Sequence, residues 1–208
     1  MISELNYYVN TKFIVGFSQG GQFLRAVSQI CPQGMQNLIS FGGQHQGVYG
    51  LPDCNAAHII CDYIRRLLNY GAYTSWVQNK LVQAQYWHDP LADDEYRRKS
   101  LFMADINNDR DLKNSTYKEN LLKLKKIVLI KFAQDSVVVP RESEWFGFYQ
   151  TGQTEKMLAF NETKLYIEDW IGLKTLDQTG RLDFLSSPGD HLQFTDEFFQ
   201  MIVDTYLK

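Results

Sequence analysis

The chain has 208 residues, a formal net charge of -3, and 44% hydrophobic and 14% aromatic content. That is enough apolar material for one packed domain, or one domain with a large insertion. The densest basic run, Lys123-Leu124-Lys125-Lys126, leads into an apolar strand and reads as a solvated helix end, so no nucleic-acid partner is expected. No apolar run approaches the ~20 residues of a membrane span, and the opening MISELNYYVNTKF lacks the basic and apolar regions of a signal peptide.

The elements follow in chain order. Phe13-Ile14-Val15 reads as a short buried strand. Gln19 to Ile30 places Phe23, Ala26, Val27 and Ile30 on one helical face, and Pro32 and Gly34 end that helix. Asn37–Phe41 reads as a second strand, closed by Gly42-Gly43. Strand, helix, strand over some 30 residues is a βαβ unit and implies a parallel sheet. From about 43 to 125 the pattern is helical and aromatic. AAHIICDYIRRLLNYG and YTSWVQNKLVQAQYW are expected as helices, and the segment as an insertion over the sheet. Ile127–Phe132 is the clearest buried strand and ends in Ala133-Gln134-Asp135-Ser136. Lys164–Ile167 and Leu182–Leu185 are expected as shorter strands. A last helix runs from about Thr195, its N-cap, to Tyr206.

Val15-Gly16-Phe17-Ser18-Gln19-Gly20-Gly21 carries G-x-S-x-G between a strand and a helix, the form of a nucleophile elbow. Such a turn lifts the serine hydroxyl above the sheet. Gly16 and Gly20, without a Cβ, let strand and helix approach. The helix start behind Ser18 offers free amides, and the N–H of Gln19 would face a developing oxyanion. Hydrolases of this class order their residues Ser, acid, His. Asp135 follows the strongest later strand, and His191 stands in a Gly-Asp-His-Leu loop before the last helix. Asp190 is a competing acid beside His191. His45 lies at the end of the neighbouring strand as a pocket-lining candidate, His58 inside a helix, and His88 in a turn.

The other chemistry is sparse. Cys54 and Cys61, seven apart, can form a local disulfide, and Cys31 has no obvious partner. No Cys/His group has metal-ligand spacing, so neither a metal nor a cofactor is expected. Asn114-Ser115-Thr116 and Asn161-Glu162-Thr163 fit the N-glycosylation acceptor pattern.

The GFSQGGQFLRA elbow, LISFGGQHQGVYGLP, AQYWHDP, SEWFGFY and GDHLQF together resemble the palmitoyl-protein thioesterase family, over nearly the whole chain from about Phe13. The resemblance implies an α/β-hydrolase fold that removes long-chain fatty acyl groups from cysteine thioesters. Its substrates would be S-palmitoylated proteins or peptides and palmitoyl thioesters. By motif, Ser18 would be the nucleophile, Asp135 the acid and His191 the base, with Gln19 giving an oxyanion amide. The helical insertion, residues 43–125 of a single partial domain spanning 1–208, would carry the acyl groove. Gly43, His45, Trp87 and Trp145 are its candidate substrate contacts, with Tyr73, Trp76 and Tyr86 as further walls. Cys54 and Cys61 match a family disulfide, and Cys31 a cysteine whose partner lies upstream. A lysosomal or secreted address follows from the resemblance alone.

One departure is large. The family places several strands and a second oxyanion donor upstream of the elbow, whereas about twelve residues precede the elbow strand here. The expectation is an α/β-hydrolase fold lacking its N-terminal strands, N-terminally truncated, weakly folded and nearly inactive as it stands. The alternative is a catalytically inactive, hydrolase-like protein that binds a lipid or a partner. A carboxylester lipase would share the same three residues.

Overall fold

A computed structural model of the chain describes residues 13–50 and 71–208. Six strands form among them: β1 (Phe13–Phe17), β2 (Asn37–Phe41), β3 (Lys126–Phe132), β4 (Phe148–Tyr149), β5 (Met157–Leu158) and β6 (Leu182–Ser187). β1, β2, β3 and β6 make one sheet in that order, every pair parallel, while β4 and β5 pair antiparallel as a separate ribbon. This is the α/β-hydrolase type of sheet, wound through helices.

The strands form where the apolar runs are, and they bury both faces, as parallel strands covered by helices must. Period-two alternation sorts their side chains. Ile14, Leu38, Ile127 and Leu129 face one cluster, which includes Phe146, Leu165, Ile171 and Leu176. Ile39, Phe41, Val128, Ile130 and Phe132 face the other, under Ile202 and Phe199. The register levels the strand ends: Phe17 pairs with Phe41, Phe41 with Ile130, and Phe132 with Ser187. The loops that follow β1, β3 and β6 therefore leave the sheet along one edge, where parallel sheets gather their reactive groups.

The helices are α1 (Gln19–Ile30), α2 (Ser75–Lys80), α3 (Val82–Gln85), α4 (Asp93–Lys99), α5 (Met103–Ile106), α6 (Ser115–Leu121), α7 (Lys164–Ile167), α8 (Leu173–Gln178) and α9 (Asp196–Tyr206). Short 3-10 turns span Arg141–Trp145 and Phe160–Glu162. Between β2 and β3 the described residues hold helices and one isolated bridge, Val48 to Trp87, around a cluster of Tyr73, Trp87, Tyr96, Met103 and Ile106. α9 starts as its sequence implies. The Thr195 hydroxyl accepts the Phe198 amide at 3.2 Å, and Asp196 and Glu197 occupy the positive first turn.

Three expectations are corrected. Lys164–Ile167 is a helix, not a strand, because Thr163 caps it through the Tyr166 amide and Leu165 alone is buried. YTSWVQNKLVQAQYW breaks into α2 and α3, since Leu81 takes an extended conformation between them. The buried face of α1 keeps only Ala26 of the expected apolar stripe fully inside. Phe23 and Ile30 are 57% and 62% exposed, while Gln22, Arg25, Ser28 and Gln29 are buried. Arg25 explains the inversion. Its guanidinium donates to the Ile106 and His45 carbonyls at 3.1 Å each, to Asn107 Oδ1 at 2.8 Å and to Gln29 Oε1 at 3.0 Å. Burial lowers its pKa to about 9, so it remains a cation at neutral pH. It ties α1 to the helices between β2 and β3. The expected helix at AAHIICDYIRRLLNYG, with His58, Cys54 and Cys61, lies outside the described residues.

Candidate active site

β1 turns into α1 at Ser18, which has φ 50° and ψ -125°. A non-glycine residue at positive φ costs on the order of 1–3 kcal/mol and persists only where its surroundings hold it. Here the Ser18 amide donates to the Phe41 carbonyl at 2.7 Å, and its carbonyl accepts the Gly21 amide at 2.9 Å. Close packing makes the turn possible. A Cβ at Gly16 would sit 2.6 Å from the Gly20 oxygen and the Gly21 nitrogen. The second close glycine is Gly21, whose Cβ would meet Ser40 Oγ at 2.1 Å, and not Gly20, which has nothing within 4 Å. The expected role of Gly20 is thereby corrected. Gln19 is the first residue of α1, so its N–H is one of the amides a helix start leaves free.

His191 comes from the loop after β6. Its Nε2 lies 2.9 Å from Ser18 Oγ, and its Nδ1 lies 2.5 Å from Asp135 Oδ2. The Asp135 side chain is fully buried, and its Oδ1 accepts the Val137 and Val138 amides at 2.8 and 2.7 Å. A loop of this kind is a sensible place for the acid: two amides fix one carboxylate oxygen and leave the other for the imidazole. Gly42 keeps the histidine's approach clear. At φ 63° a Cβ there would come within 3.2 Å of His191 Cε1.

Asp190 does not compete for the imidazole. It accepts the Ser136 amide at 2.8 Å, the Ser136 hydroxyl at 3.0 Å and the His191 amide at 2.7 Å. Bonds from the His191 and Ser136 amides hold its pKa below the usual carboxylate value. It braces the β3 and β6 loops against each other, a function that sequence order alone could not reveal.

The other expected residues fall elsewhere. His45 does not line an open pocket. It is fully buried, its Nε2 lies 2.9 Å from Ser40 Oγ, and its ring stacks on Phe146 at 4.7 Å. Burial, then the nearby Arg25, pushes its pKa well below the usual histidine value, so it is neutral. Gly43 lies against the same pair, its absent Cβ only 2.3 Å from Ser40 Oγ. Trp87 and Tyr73 belong to the cluster between β2 and β3, with Tyr86 packed against it. Trp145 donates to the Leu129 carbonyl at 3.0 Å and packs on Phe184, within the core. Trp76 is exposed. His88 is structural as expected, its Nδ1 2.8 Å from the Gln46 carbonyl and its ring between Tyr96 and Phe148. Asn114 and Asn161 are both exposed, and Cys31 is an exposed free thiol. Among the described residues no cluster of His, Cys, Asp or Glu could hold a metal ion.

A cavity of about 690 Å³ opens between β4, α4 and α7, lined in part by His88, Asp93, Arg97, Asp109, Tyr149 and Lys164. None of Ser18, Asp135 or His191 lines it, and its charges do not suit an acyl chain. One residue that the motif reading passed over is Glu144, whose Oε2 accepts the amide of Phe132, the last residue of β3, at 3.0 Å. An acidic residue in the otherwise aromatic run EWFGFY was the signal available for it.

The family model for palmitoyl protein thioesterase matches residues 4–191. The chain is 57% identical over 180 residues to palmitoyl-protein thioesterase 1 of Caenorhabditis elegans, covering 86% of this chain and 60% of that protein. It is 34% identical over 171 residues to the human lysosomal thioesterase PPT2, covering 81% of this chain and 55% of that protein. Among solved structures it is similar to a monoacylglycerol lipase from Paleococcus ferrophilus, with a TM-score of 0.41 and 12% identity over 98% of this chain and 71% of that one. The chain thus spans about 60% of the length of the C. elegans relative. On the match to its model, this chain belongs to the palmitoyl-protein thioesterase family.

Proposed function

We propose that this chain carries the site that hydrolyses long-chain fatty acyl thioesters on the cysteines of lipidated proteins, through an acyl-serine intermediate. The observation that carries the proposal is the continuous contact from Ser18 Oγ through His191 to Asp135, at 2.9 and 2.5 Å. His191 Nε2 takes the Ser18 proton as the oxygen attacks the thioester carbonyl. Asp135 holds the ring by its Nδ1–H and stabilises the imidazolium. The Gln19 amide, at the positive end of α1, donates to the developing oxyanion. The cysteine thiolate departs with little acid assistance, since a thiol's pKa is about 8.5. Water, deprotonated by His191, then attacks the acyl-serine carbonyl and releases the fatty acid and Ser18.

Substrate preference follows from the acyl chain. A sixteen-carbon chain offers roughly 12 kcal/mol of gross burial at about 0.8 kcal/mol per CH₂, more than a few peptide contacts supply. We assign the acyl groove to the helical segment 43–125. S-palmitoylated proteins and peptides are the proposed substrates, and a lysosomal address is proposed from the relatives named above. Glycans on the exposed Asn114 and Asn161, and a bridge between Cys54 and Cys61, suit that address.

A fluorophosphonate probe tests the nucleophile: the wild-type chain labels at Ser18 and the Ser18→Ala and His191→Ala variants do not. Palmitoyl thioester and its matched oxygen ester, offered side by side, test the substrate class. Equal labelling of the Ser18→Ala variant would overturn the nucleophile, and turnover of the oxygen ester alone would make the site a carboxylester lipase. A chain that binds palmitate but neither labels with the fluorophosphonate nor turns over either ester would be a lipid-binding relative.

A further inference from the structure

Ser40 is a polar residue on an otherwise apolar face of β2. Period-two alternation gives Leu38 and Ser40 one side of the strand, Ile39 and Phe41 the other. The hydroxyl fills a notch that two glycines leave open. Ser40 Oγ stands 2.1 Å from where a Cβ on Gly21 would be and 2.3 Å from where one on Gly43 would be. His45 Nε2 lies 2.9 Å from that Oγ. The imidazole is itself held from three sides. Its ring stacks on Phe146 at 4.7 Å and 9°. The His45 amide donates to the Ser143 carbonyl at 3.0 Å, and the Arg25 guanidinium donates to the His45 carbonyl at 3.1 Å. Both residues are sealed, at 1% and 0% exposure, so they are not a second nucleophile and base. Their neighbours grip Ser18. Gly21, across the notch, donates its amide to the Ser18 carbonyl, and Phe41, next along the strand, accepts the Ser18 amide.

Resting on the assignment of Ser18 as nucleophile above, we propose that Ser40 and His45 are positioning residues for the reaction: the wedged Ser40 hydroxyl, oriented by His45, sets the distance between β2 and the first turn of α1, and with it the placement of Ser18 Oγ and the Gln19 amide. Without the Oγ, Gly21 and Gly43 face an empty notch, and the first turn of α1 is free to settle toward β2. Without the imidazole, the Ser40 hydroxyl loses a buried partner and can turn to another staggered position. Either change disturbs the 2.9 Å contact between Ser18 Oγ and His191 Nε2. Attack and oxyanion donation both depend on placement to within fractions of an ångström. The wedge also accounts for glycine at 21 and 43, positions outside the two that G-x-S-x-G marks, 16 and 20.

Turnover of a palmitoyl thioester by the whole chain, with kcat and KM separated, tests this. His45→Phe keeps a ring to stack on Phe146 and loses the hydrogen bond. Its kcat is expected to fall about tenfold with KM unchanged. His45→Gln, whose side-chain amide reaches the place of Nε2, is expected to restore most of that loss. Gly21→Ala drives a Cβ against Ser40 Oγ and is expected to lower kcat on the order of 100-fold. In a Ser40→Ala background the obstructing Oγ is gone, and the new Cβ meets Ser40 Cβ at 3.2 Å and Gly43 Cα at 3.3 Å. Adding Gly21→Ala there is expected to slow the enzyme no further than Ser40→Ala alone. The ¹H–¹⁵N resonances of Gln19 and Gly21 report placement without turnover; they are expected to shift in His45→Phe and to stay put in His45→Gln. Additive losses from Gly21→Ala and Ser40→Ala, or a His45→Gln variant as slow as His45→Phe, would overturn the proposal. So would a KM that rises while kcat holds, the behaviour of an acyl-groove wall. Should Gly21→Ala fail to fold, the double variant is expected to fold, and its failure would count against the wedge. A wild-type chain that neither labels nor turns over thioester would overturn the hydrolase assignment and this proposal with it. An active wild type whose variants keep its kcat would overturn this proposal alone.

Discussion

Replacing Gly16 by alanine should damage the elbow, and replacing Gly20 should not, although the motif treats the two alike. A Cβ at Gly16 would stand 2.6 Å from the Gly20 oxygen and the Gly21 nitrogen, where ordinary contact begins near 3.4 Å. The start of α1 must therefore retreat by roughly 0.8 Å, and every obstructing atom is backbone, which cannot rotate aside. Overpacking of this kind costs about 1–3 kcal/mol, or several degrees in melting temperature at this chain length. The catalytic cost is larger, because the retreat moves the turn that carries Ser18 against a 2.9 Å contact with His191. A displacement near 1 Å in such a site lowers the rate by on the order of 100-fold. At Gly20 a Cβ meets nothing within 4 Å, and its φ lies outside the left-handed region. Alanine there should leave labelling of Ser18 near wild type and raise stability by about 0.5–1 kcal/mol, as glycine-to-alanine changes inside helices do. Fluorophosphonate labelling rates and thermal denaturation of the two variants side by side provide the comparison. Equal behaviour of the two, in either direction, would refute the steric account of the turn.

Asp135→Asn should cut Ser18 labelling by on the order of 10⁴-fold with little change in fold, since the amide presents the wrong hydrogen-bonding partner to His191 Nδ1; stopped-flow or gel-based labelling rates read this directly. Asp190 should show its bracing role on acidification. Its pKa is depressed in the folded chain, so its contribution is present above the ordinary carboxylate range, near 3.9, and is lost as pH falls through its lower folded value. Thermal melts from pH 5 down to pH 2 should therefore show a steeper decline for wild type than for Asp190→Asn; parallel declines would count against it. Phe23→Ser should change stability by no more than about 0.5 kcal/mol, because Phe23 is exposed, whereas a ring that faced the core would cost several times as much in a urea titration.

Much of the site was legible in the chain. β1 through β3 and the first part of β6 announce themselves as apolar runs, since a strand covered on both faces needs no polar positions. G-x-S-x-G marks the turn because strand and helix can cross there only without a Cβ at Gly16. The order Ser18, Asp135, His191, each beyond a strand, suffices to bring the three to one edge once the strands are parallel and level. Local chemistry also marks the start of α9, where Thr195 caps within its own sequence.

What only the folded chain decided involves partners distant in sequence. Phe23 and Ile30 of α1 point outward, though Ala26 of the same stripe is buried, because Arg25 and Gln29 find carbonyls and amides some eighty residues later, at Ile106 and Asn107. Lys164–Ile167 is too short for its periodicity to separate strand from helix, and the cap from Thr163 settles it. His45, Gly43 and Trp145 look like pocket walls in the chain, yet His45 and Gly43 pack against Ser40 and Trp145 against Leu129 and Phe184. Asp190 and Glu144 could not be told apart from surface acids, because the Ser136 and Phe132 amides they accept belong to other elements. A sequence records which residues can donate, accept or be buried, and tertiary packing alone selects which of them meet.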